Sequence, residues 1–195
     1  MSVIRAFIAV DLPADLQKRL DQVSANLKQS IDRPVIRWVP AVNMHLTLKF
    51  LGDVSVTNLP LVKEAIQAVA LEHHRFEFSV GGLGAFPTSK RPRVIWVGIE
   101  APAELGNVQS ALESRLNRLG YPPEERPFSA HLTLGRVART ADPQEVQKIS
   151  QRLQVMKLGF LGAVQVQQLQ LYRSDLGSTG AEYTCLFSAP LLENR

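Results

Sequence analysis

The tetrapeptide HLTL occurs twice, at residues 45–48 and again at residues 131–134. Side chains of a β-strand alternate between its two faces. His45 and Thr47 should therefore share one face of a strand while the two leucines share the other, and the second copy repeats this pattern. We expect the leucines to be buried and the histidine and threonine side chains to border a cleft.

Each tetrapeptide belongs to a longer duplicated segment. Residues 7–16 read FIAVDLPADL and residues 95–105 read IWVGIEAPAEL, and both give a short apolar strand, an acid and then Pro-Ala-acid-Leu. A helix N-terminus tolerates proline because the missing N–H would lack a partner there. The apolar residues that follow have helical spacing, and they are Leu16, Leu20, Val23 and Leu27 in the first copy and Leu105, Val108, Leu112 and Leu116 in the second.

Both halves should continue with a second helix and a strand, so the plan of each half is β-α-β-α-β. Asp142 is a candidate N-cap because its carboxylate can accept a free N–H of the first helical turn. The expected ranges are helices over 58–71 and 142–156 and strands over 76–80, 164–172 and 183–187.

The glycine-rich residues 81–84 lie close to the midpoint, and we interpret them as a loop. No linker rich in glycine, serine or proline separates the halves. We therefore predict a single domain over residues 1–195, made of two duplicated lobes at about 1–85 and 86–195. The alternative is two tandem domains, since each half is long enough to fold alone. Approximate two-fold symmetry between lobes would bring both HLTL strands to one cleft.

Composition restricts the class of protein. Of 195 residues, 45% are hydrophobic and 21% charged, which is typical of a globular protein and excludes extended disorder. The single cysteine excludes an internal disulfide and suits the reducing cytoplasm, where we expect the protein to reside. No run of about 18 apolar residues is present for a membrane span, so we expect no membrane partner. The formal charge of +4 suits a small anion or an RNA end, and we expect a monomer.

Two histidines supply the chemistry that phosphodiester hydrolysis requires. A base must take a proton from water, and an acid must protonate the departing alkoxide. Histidine has an ordinary pKa of about 6.5, so near neutrality either imidazole can take either role. The hydroxyls of Thr47 and Thr133 can donate to phosphate oxygens. No acidic residue lies at metal-ligand spacing beside the histidines, so we expect no metal or other cofactor. A metal-binding pair and two structural histidines are the alternatives.

The segments RAFIAVDLP (5–13), HLTLKFLG (45–52) and HLTLGRV (131–137) together resemble the 2H phosphoesterase superfamily. Within it they are most similar to the RNA 2′,3′-cyclic phosphodiesterases, also called 2′-5′ RNA ligases. The resemblance covers essentially the whole chain. It implies a bilobal α+β fold, with two antiparallel sheets lining a V-shaped cleft and helices outside. It also implies that His45 is the proton donor and His131 the proton acceptor, and that a cyclic phosphate at an RNA end or on a small nucleotide opens to a 2′-phosphate.

Residues beside the motifs differ between the two copies. By alternation Lys49 shares the histidine face and is a candidate cation at the phosphate, with a solvent-exposed lysine as the alternative. Arg136 has the opposite parity, but Gly135 permits a bulge that would turn it toward the cleft, and the resemblance favours arginine there. Phe86, in a loop before a proline, can stack on a base or pack in the core. We expect Trp96 in the core.

Two other functions are compatible with the same residues. The histidines could run the reverse chemistry, in which an RNA 5′-hydroxyl replaces water and a 2′-5′ bond forms. A non-catalytic RNA- or nucleotide-binding module is the alternative from a different class. The intact histidines in both motifs argue against it, since binding alone would not require two titratable groups.

Overall fold

The computed structural model describes residues 2–29, 31, 35–177 and 180–194. Within these ranges lie nine β-strands and four α-helices. In chain order they are β1 (Val3–Asp11), α1 (Ala14–Lys28), β2 (Ile36–Trp38), β3 (His45–Ser55), α2 (Leu59–Ala70), β4 (Phe76–Thr88), β5 (Arg91–Glu100), α3 (Ala103–Asn117), β6 (His131–Val137), α4 (Pro143–Val155), β7 (Phe160–Val166), β8 (Gln168–Gly177) and β9 (Gly180–Pro190).

The strands form two antiparallel sheets. The first sheet has the order β3-β1-β8-β9, and the second has the order β2-β6-β5-β4-β7. This confirms the predicted α+β fold of two antiparallel sheets with helices. The two HLTL strands, β3 and β6, belong to different sheets, yet they approach each other with Cα atoms within 8 Å. The two motif strands therefore lie next to each other where the sheets meet.

Each sheet takes strands from both halves of the sequence. The first sheet combines β1 and β3 from the first half with β8 and β9 from the second. In the second sheet, β5, β6 and β7 of the second half pair with β4 and β2 of the first. Neither half supplies a complete sheet by itself. A single domain made of two duplicated lobes stays a prediction.

The helices form where the apolar periodicity predicts them. The apolar stripes of α1 and α3 are buried, as expected for helices that cover a sheet with one face. Asp142 is the N-cap of α4: its carboxylate accepts the N–H of Glu145 at 2.8 Å, and the Glu145 carboxylate accepts the N–H of Asp142 at 2.8 Å. This reciprocal pair satisfies two N–H groups that the first turn would otherwise leave free. The predicted N-cap is confirmed.

The prediction of a loop over residues 81–84 is wrong, because β4 continues through them. Gly82 has a φ of 72°, and the register against β5 shifts beside it, so the glycine allows a bulge within the strand. Gly84 allows close packing, since a Cβ at this position would overlap the indole ring of Trp96.

The prediction of one strand over residues 164–172 is also wrong. The segment divides into β7 and β8, which enter different sheets. The last predicted strand is present but longer, as β9, and it forms an antiparallel pair with β8. The short strand β2 was not predicted, and it forms an edge of the second sheet beside β6.

Gly135 should be required for the packing of β2 on β6. A Cβ there would lie 2.8 Å from Cγ2 of Ile36 and 3.2 Å from both the carbonyl oxygen of Arg37 and Cε3 of Trp38. We expect Gly135→Ala to lower the free energy of unfolding by about 1–3 kcal/mol, measured by urea denaturation, because β2 must move. Gly106→Ala in α3 is the control: its Cβ meets nothing within 4 Å, so it should stabilise by about 0.5–1 kcal/mol. Unchanged stability of Gly135→Ala would contradict the tight packing.

Candidate active site

The first four residues of each motif strand alternate as predicted. The four leucines of the two motifs are buried. His45, Thr47, His131 and Thr133 lie half-buried on the opposite face. Within the part of the chain that the structure describes, neither threonine hydroxyl has a hydrogen-bond partner, so both can donate to a ligand.

Both imidazoles are held by the same kind of hydrogen bond. Nδ1 of His45 lies 2.9 Å from the carbonyl oxygen of Asn43, and Nδ1 of His131 lies 2.7 Å from the carbonyl oxygen of Ser129. A carbonyl oxygen only accepts, so Nδ1 donates and carries the proton in both rings. Nε2 is then the nitrogen of each ring that can exchange a proton with a ligand.

Aromatic rings surround His45. Phe7 stacks on it with ring centroids 4.6 Å apart and an angle of 21°, Tyr183 meets it edge-on at 5.2 Å, and Tyr172 lies 6.4 Å away. Burial among these rings lowers the pKa of His45 to about 4, while the hydrogen bond to Asn43 and the charge of Asp11 act in the opposite direction. His45 is therefore neutral at pH 7 in the free protein.

The aromatic neighbours of His131 come from β4 and β5. Phe86 meets its ring edge-on at 4.9 Å, and Trp96 lies 6.4 Å away. The expectation that Trp96 belongs to the core is wrong: Ile95 and Val97 beside it are fully buried, whereas Trp96 is half-buried and is the cross-strand partner of Thr133. Apolar alternation along β5 was the signal that would have placed it on the motif face.

Phe86 lies near the end of β4 rather than in a loop. Its ring packs against Trp96 at 5.2 Å as well as against His131, so it borders the site. Its role in stacking on a base stays a prediction.

A polar network that was not predicted from the sequence adjoins His45. Asp11 is the cross-strand partner of His45. Both of its carboxylate oxygens lie 2.7 Å from the Tyr172 hydroxyl, and one also accepts from the side-chain amide of Gln170. Burial and the bond to Asp11 raise the pKa of Tyr172, so its hydroxyl stays protonated. The network fixes the Tyr172 ring, which stacks on Phe7 at 5.4 Å.

Each motif strand carries a bulge at the last leucine of the HLTL tetrapeptide. The register of β3 against β1 shifts between Thr47 and Lys49, and that of β6 against β5 shifts between Thr133 and Gly135. The extra residue reverses the alternation beyond it. Arg136 is exposed and lies on the histidine face of β6, as the bulge proposed at Gly135 requires. The equivalent bulge in β3 was not predicted.

The candidate role of Lys49 at the phosphate is wrong, because the bulge in β3 turns its side chain into the protein. Lys49 is 2% exposed. Its Nζ donates to the Glu113 carboxylate at 2.5 Å and to the carbonyl oxygen of Pro122 at 2.8 Å. Phe50 takes the outward position instead and is 57% exposed.

Metal-ligating clusters and membrane-spanning helices are both missing from the described residues. These residues contain no group of three or more histidine, cysteine, aspartate or glutamate side chains placed to hold a metal ion. None of the described helices is both long enough and apolar enough to span a membrane.

A family model described as LigT-like phosphoesterase matches residues 10–96 and, a second time, residues 97–183. The chain belongs to the LigT-like phosphoesterase family. Each match contains one HLTL motif, and the resemblance to the 2H phosphoesterases is confirmed.

Two curated relatives share the name RNA 2′,3′-cyclic phosphodiesterase. The Methanothermobacter thermautotrophicus protein is 33% identical over 181 residues, covering 93% of this chain and 95% of the relative. The Aquifex aeolicus protein is 30% identical over 188 residues, covering 94% and 95%.

Solved structures of similar proteins have the same fold. A Thermus thermophilus protein superposes with a TM-score of 0.80 at 26% identity, over 96% of this chain and 98% of that one. Escherichia coli LigT in complex with 3′-AMP gives a TM-score of 0.78 at 25% identity, over 97% and 99%. The two-lobed architecture of this phosphoesterase is thus shared along its length.

The lowered pKa of His45 predicts a pH-dependent stability. Between pH 6.5 and about 4 the unfolded chain binds a proton at this residue and the folded phosphoesterase does not. The free energy of unfolding should therefore fall with falling pH across this window, by about 3 kcal/mol in total from His45. Urea denaturation of His45→Gln should lack this component, whereas His73→Gln, on the turn after α2, should retain it. The same pH dependence in His45→Gln and in the wild type would contradict the lowered pKa.

The buried position of Lys49 predicts that it contributes to stability and not to catalysis. Lys49→Met leaves the Glu113 carboxylate without its cation. It should lower the free energy of unfolding, measured by urea denaturation, by about 3 kcal/mol. Lys49→Met combined with Glu113→Leu should recover most of this loss, because no unpaired charge remains. Phosphoesterase activity of the folded variants should stay near that of the wild type. A large loss of kcat in the well-folded double variant would show that Lys49 acts on the substrate.

Proposed function

We propose that this phosphoesterase hydrolyses RNA 2′,3′-cyclic phosphate ends to 2′-phosphates without a metal, with His45 and His131 as an acid–base pair. The observation that carries the proposal is the repeated bond from a histidine Nδ1 to a backbone carbonyl. It leaves a reactive Nε2 on each of two strands that meet between the sheets. The names of the relatives support the same substrate class.

The reaction assigned to the pair moves two protons. Nε2 of His131 takes a proton from water as the water oxygen attacks phosphorus, and the bond from phosphorus to O3′ breaks. O3′ takes a proton from Nε2 of His45, which gives a 3′-hydroxyl and a 2′-phosphate. The hydroxyls of Thr47 and Thr133 donate to the non-bridging oxygens, where negative charge develops. Arg136 adds a positive charge to substrate binding.

The donor role of His45 follows from the resemblance, and it requires a charged imidazole that burial disfavours. The phosphate diester of the substrate is an anion, and an anion beside an imidazole favours the protonated form. The effect is strong in a site with little water. We therefore propose that His45 takes up its proton when the substrate binds.

Ligation is the second candidate function. It would use the same proton transfers with an RNA 5′-hydroxyl in place of water: His131 takes the proton of the 5′-hydroxyl as its oxygen attacks phosphorus, His45 protonates the departing O3′, and a 2′-5′ bond forms. Hydrolysis should dominate in aqueous solution because water is in large excess. An assay that measures the length of the RNA product separates the two activities, because ligation lengthens the RNA and hydrolysis does not.

The test is incubation of an RNA oligonucleotide that ends in a 2′,3′-cyclic phosphate, in the presence of chelator, with identification of the product. We expect a 2′-phosphate. His45→Ala and His131→Ala should each lose about 10²–10⁴ in rate, since each removes a proton transfer. Thr47→Ala and Thr133→Ala should lose less. Loss of activity in chelator that a divalent ion restores would refute the metal-independent reaction, and a 3′-phosphate product would reverse the substrate orientation.

The roles of the two histidines can be distinguished with a substrate whose leaving group needs no protonation. On this substrate His45→Ala should recover much of its lost rate, whereas His131→Ala should stay impaired. The opposite pattern would exchange the two roles. Near-normal turnover of either variant on the RNA substrate would place the active site elsewhere. His73→Ala serves as the control for loss of a histidine outside the cleft.

A further inference from the structure

Two arginines face each other across the edge of the second sheet. Arg37 of β2 is the direct cross-strand partner of Arg136 of β6. Residues directly opposite each other in an antiparallel pair project from the same face. Both arginines are exposed, while Ile36 and Val137, the next pair along, are buried. The two guanidinium groups therefore project on the same side of the sheet as the second histidine motif.

This pair has no counter-charge of its own. Within the described ranges, neither Arg37 nor Arg136 forms a salt bridge or a side-chain hydrogen bond. Like charges on directly opposite residues destabilise a sheet. An oxyanion placed between the two guanidinium groups would remove this repulsion and can accept paired hydrogen bonds from each. The pair thus has the chemistry of an anion subsite.

Contacts with the first sheet connect this subsite to the cleft. A Cβ at Gly180, at the start of β9, would lie 4.0 Å from Nη2 of Arg37, so this side chain reaches toward β9 of the other sheet. Tyr183 of β9 meets the His45 ring at 5.2 Å. Burial raises the pKa of Tyr183, and the charges of Arg136 and Arg37 oppose that rise. The ring that contacts His45 is therefore within electrostatic reach of both arginines.

We propose that Arg37, which extends the positive charge of Arg136 away from the cleft, forms a second anion subsite that binds the 5′-phosphate of the terminal nucleotide, whose cyclic phosphate lies between the histidines. The assignment rests on the proposed function and specifies its substrate class. β2 is an edge strand, so Arg37 lies one strand spacing, about 5 Å, farther out than Arg136. In an RNA chain the 5′-phosphate of the last nucleotide continues to the preceding nucleotide, whereas a nucleoside 2′,3′-cyclic phosphate lacks it. The enzyme should therefore prefer RNA ends.

Binding of two product analogues tests the subsite separately from turnover. Adenosine 2′-phosphate and adenosine 2′,5′-bisphosphate differ only in the 5′-phosphate, and calorimetry gives the Kd of each. The wild type should bind the bisphosphate about tenfold more tightly, the value of one charge-assisted contact. Arg37→Gln should bind both ligands alike, and Arg37→Lys should keep part of the preference, because charge remains while the paired hydrogen bonds are lost. Arg5→Gln is the control. It makes the same charge change on β1, at the end of the strand opposite to Asp11, which pairs with His45. This variant should retain the full preference for the bisphosphate.

Turnover gives the second measurement. For a dinucleotide ending in a cyclic phosphate, Arg37→Gln should raise KM about tenfold with little change in kcat, and it should leave adenosine 2′,3′-cyclic phosphate unaffected. Equal binding of both analogues by the wild type would overturn the subsite. So would an unchanged preference in Arg37→Gln, or an equal loss with both cyclic substrates. If the wild type discriminates between the analogues yet hydrolyses neither cyclic substrate, the subsite stands and the proposed function fails.

Discussion

The combination of buried leucines and a bulge on each motif strand controls which side chains reach the cleft. The leucines lock one face of β3 and β6 into the core, because a slip of one residue would expose them and bury the histidines. The bulge then reverses the alternation beyond the tetrapeptide. Lys49 consequently turns inward to Glu113, while Phe50 and Arg136 turn outward. One repeated backbone irregularity thus gives an aromatic residue beside one motif and a cation beside the other.

Features set by local periodicity could be predicted from the sequence. The spacing of Leu105 and its apolar neighbours predicts α3 because the period of a helix is fixed by its geometry. Asp142 could be predicted as an N-cap because the capping interaction spans only three residues. The face of each histidine followed from two-residue alternation, which holds as far as the end of each HLTL tetrapeptide. The duplication added the correspondence between the two motif strands.

Features set by contacts between distant segments could not be predicted in this way. The exchange of β4 and β8 between the sheets depends on pairing across the whole chain, and neither strand differs in pattern from one that stays with its own repeat. The bulge at Lys49 lacks the glycine that marks its counterpart, so strict alternation gave the wrong face. Gly84 was predicted to lie in a loop because glycine is common in turns. In the structure a side chain at this position would overlap the ring of Trp96 on the next strand, and the sequence does not reveal this contact.

The structure also removes the symmetry that the two motifs suggest. His45 is enclosed by Phe7, Tyr172 and Tyr183, and this burial favours its neutral form. A neutral imidazole with a free Nε2 cannot protonate a leaving group, so an acid at this position has to gain its proton when an anion arrives. Low polarity around the ring raises the cost of the charge without substrate and strengthens its attraction to a bound phosphate. The aromatic enclosure would then couple the charge state of the proposed donor to occupancy of the cleft.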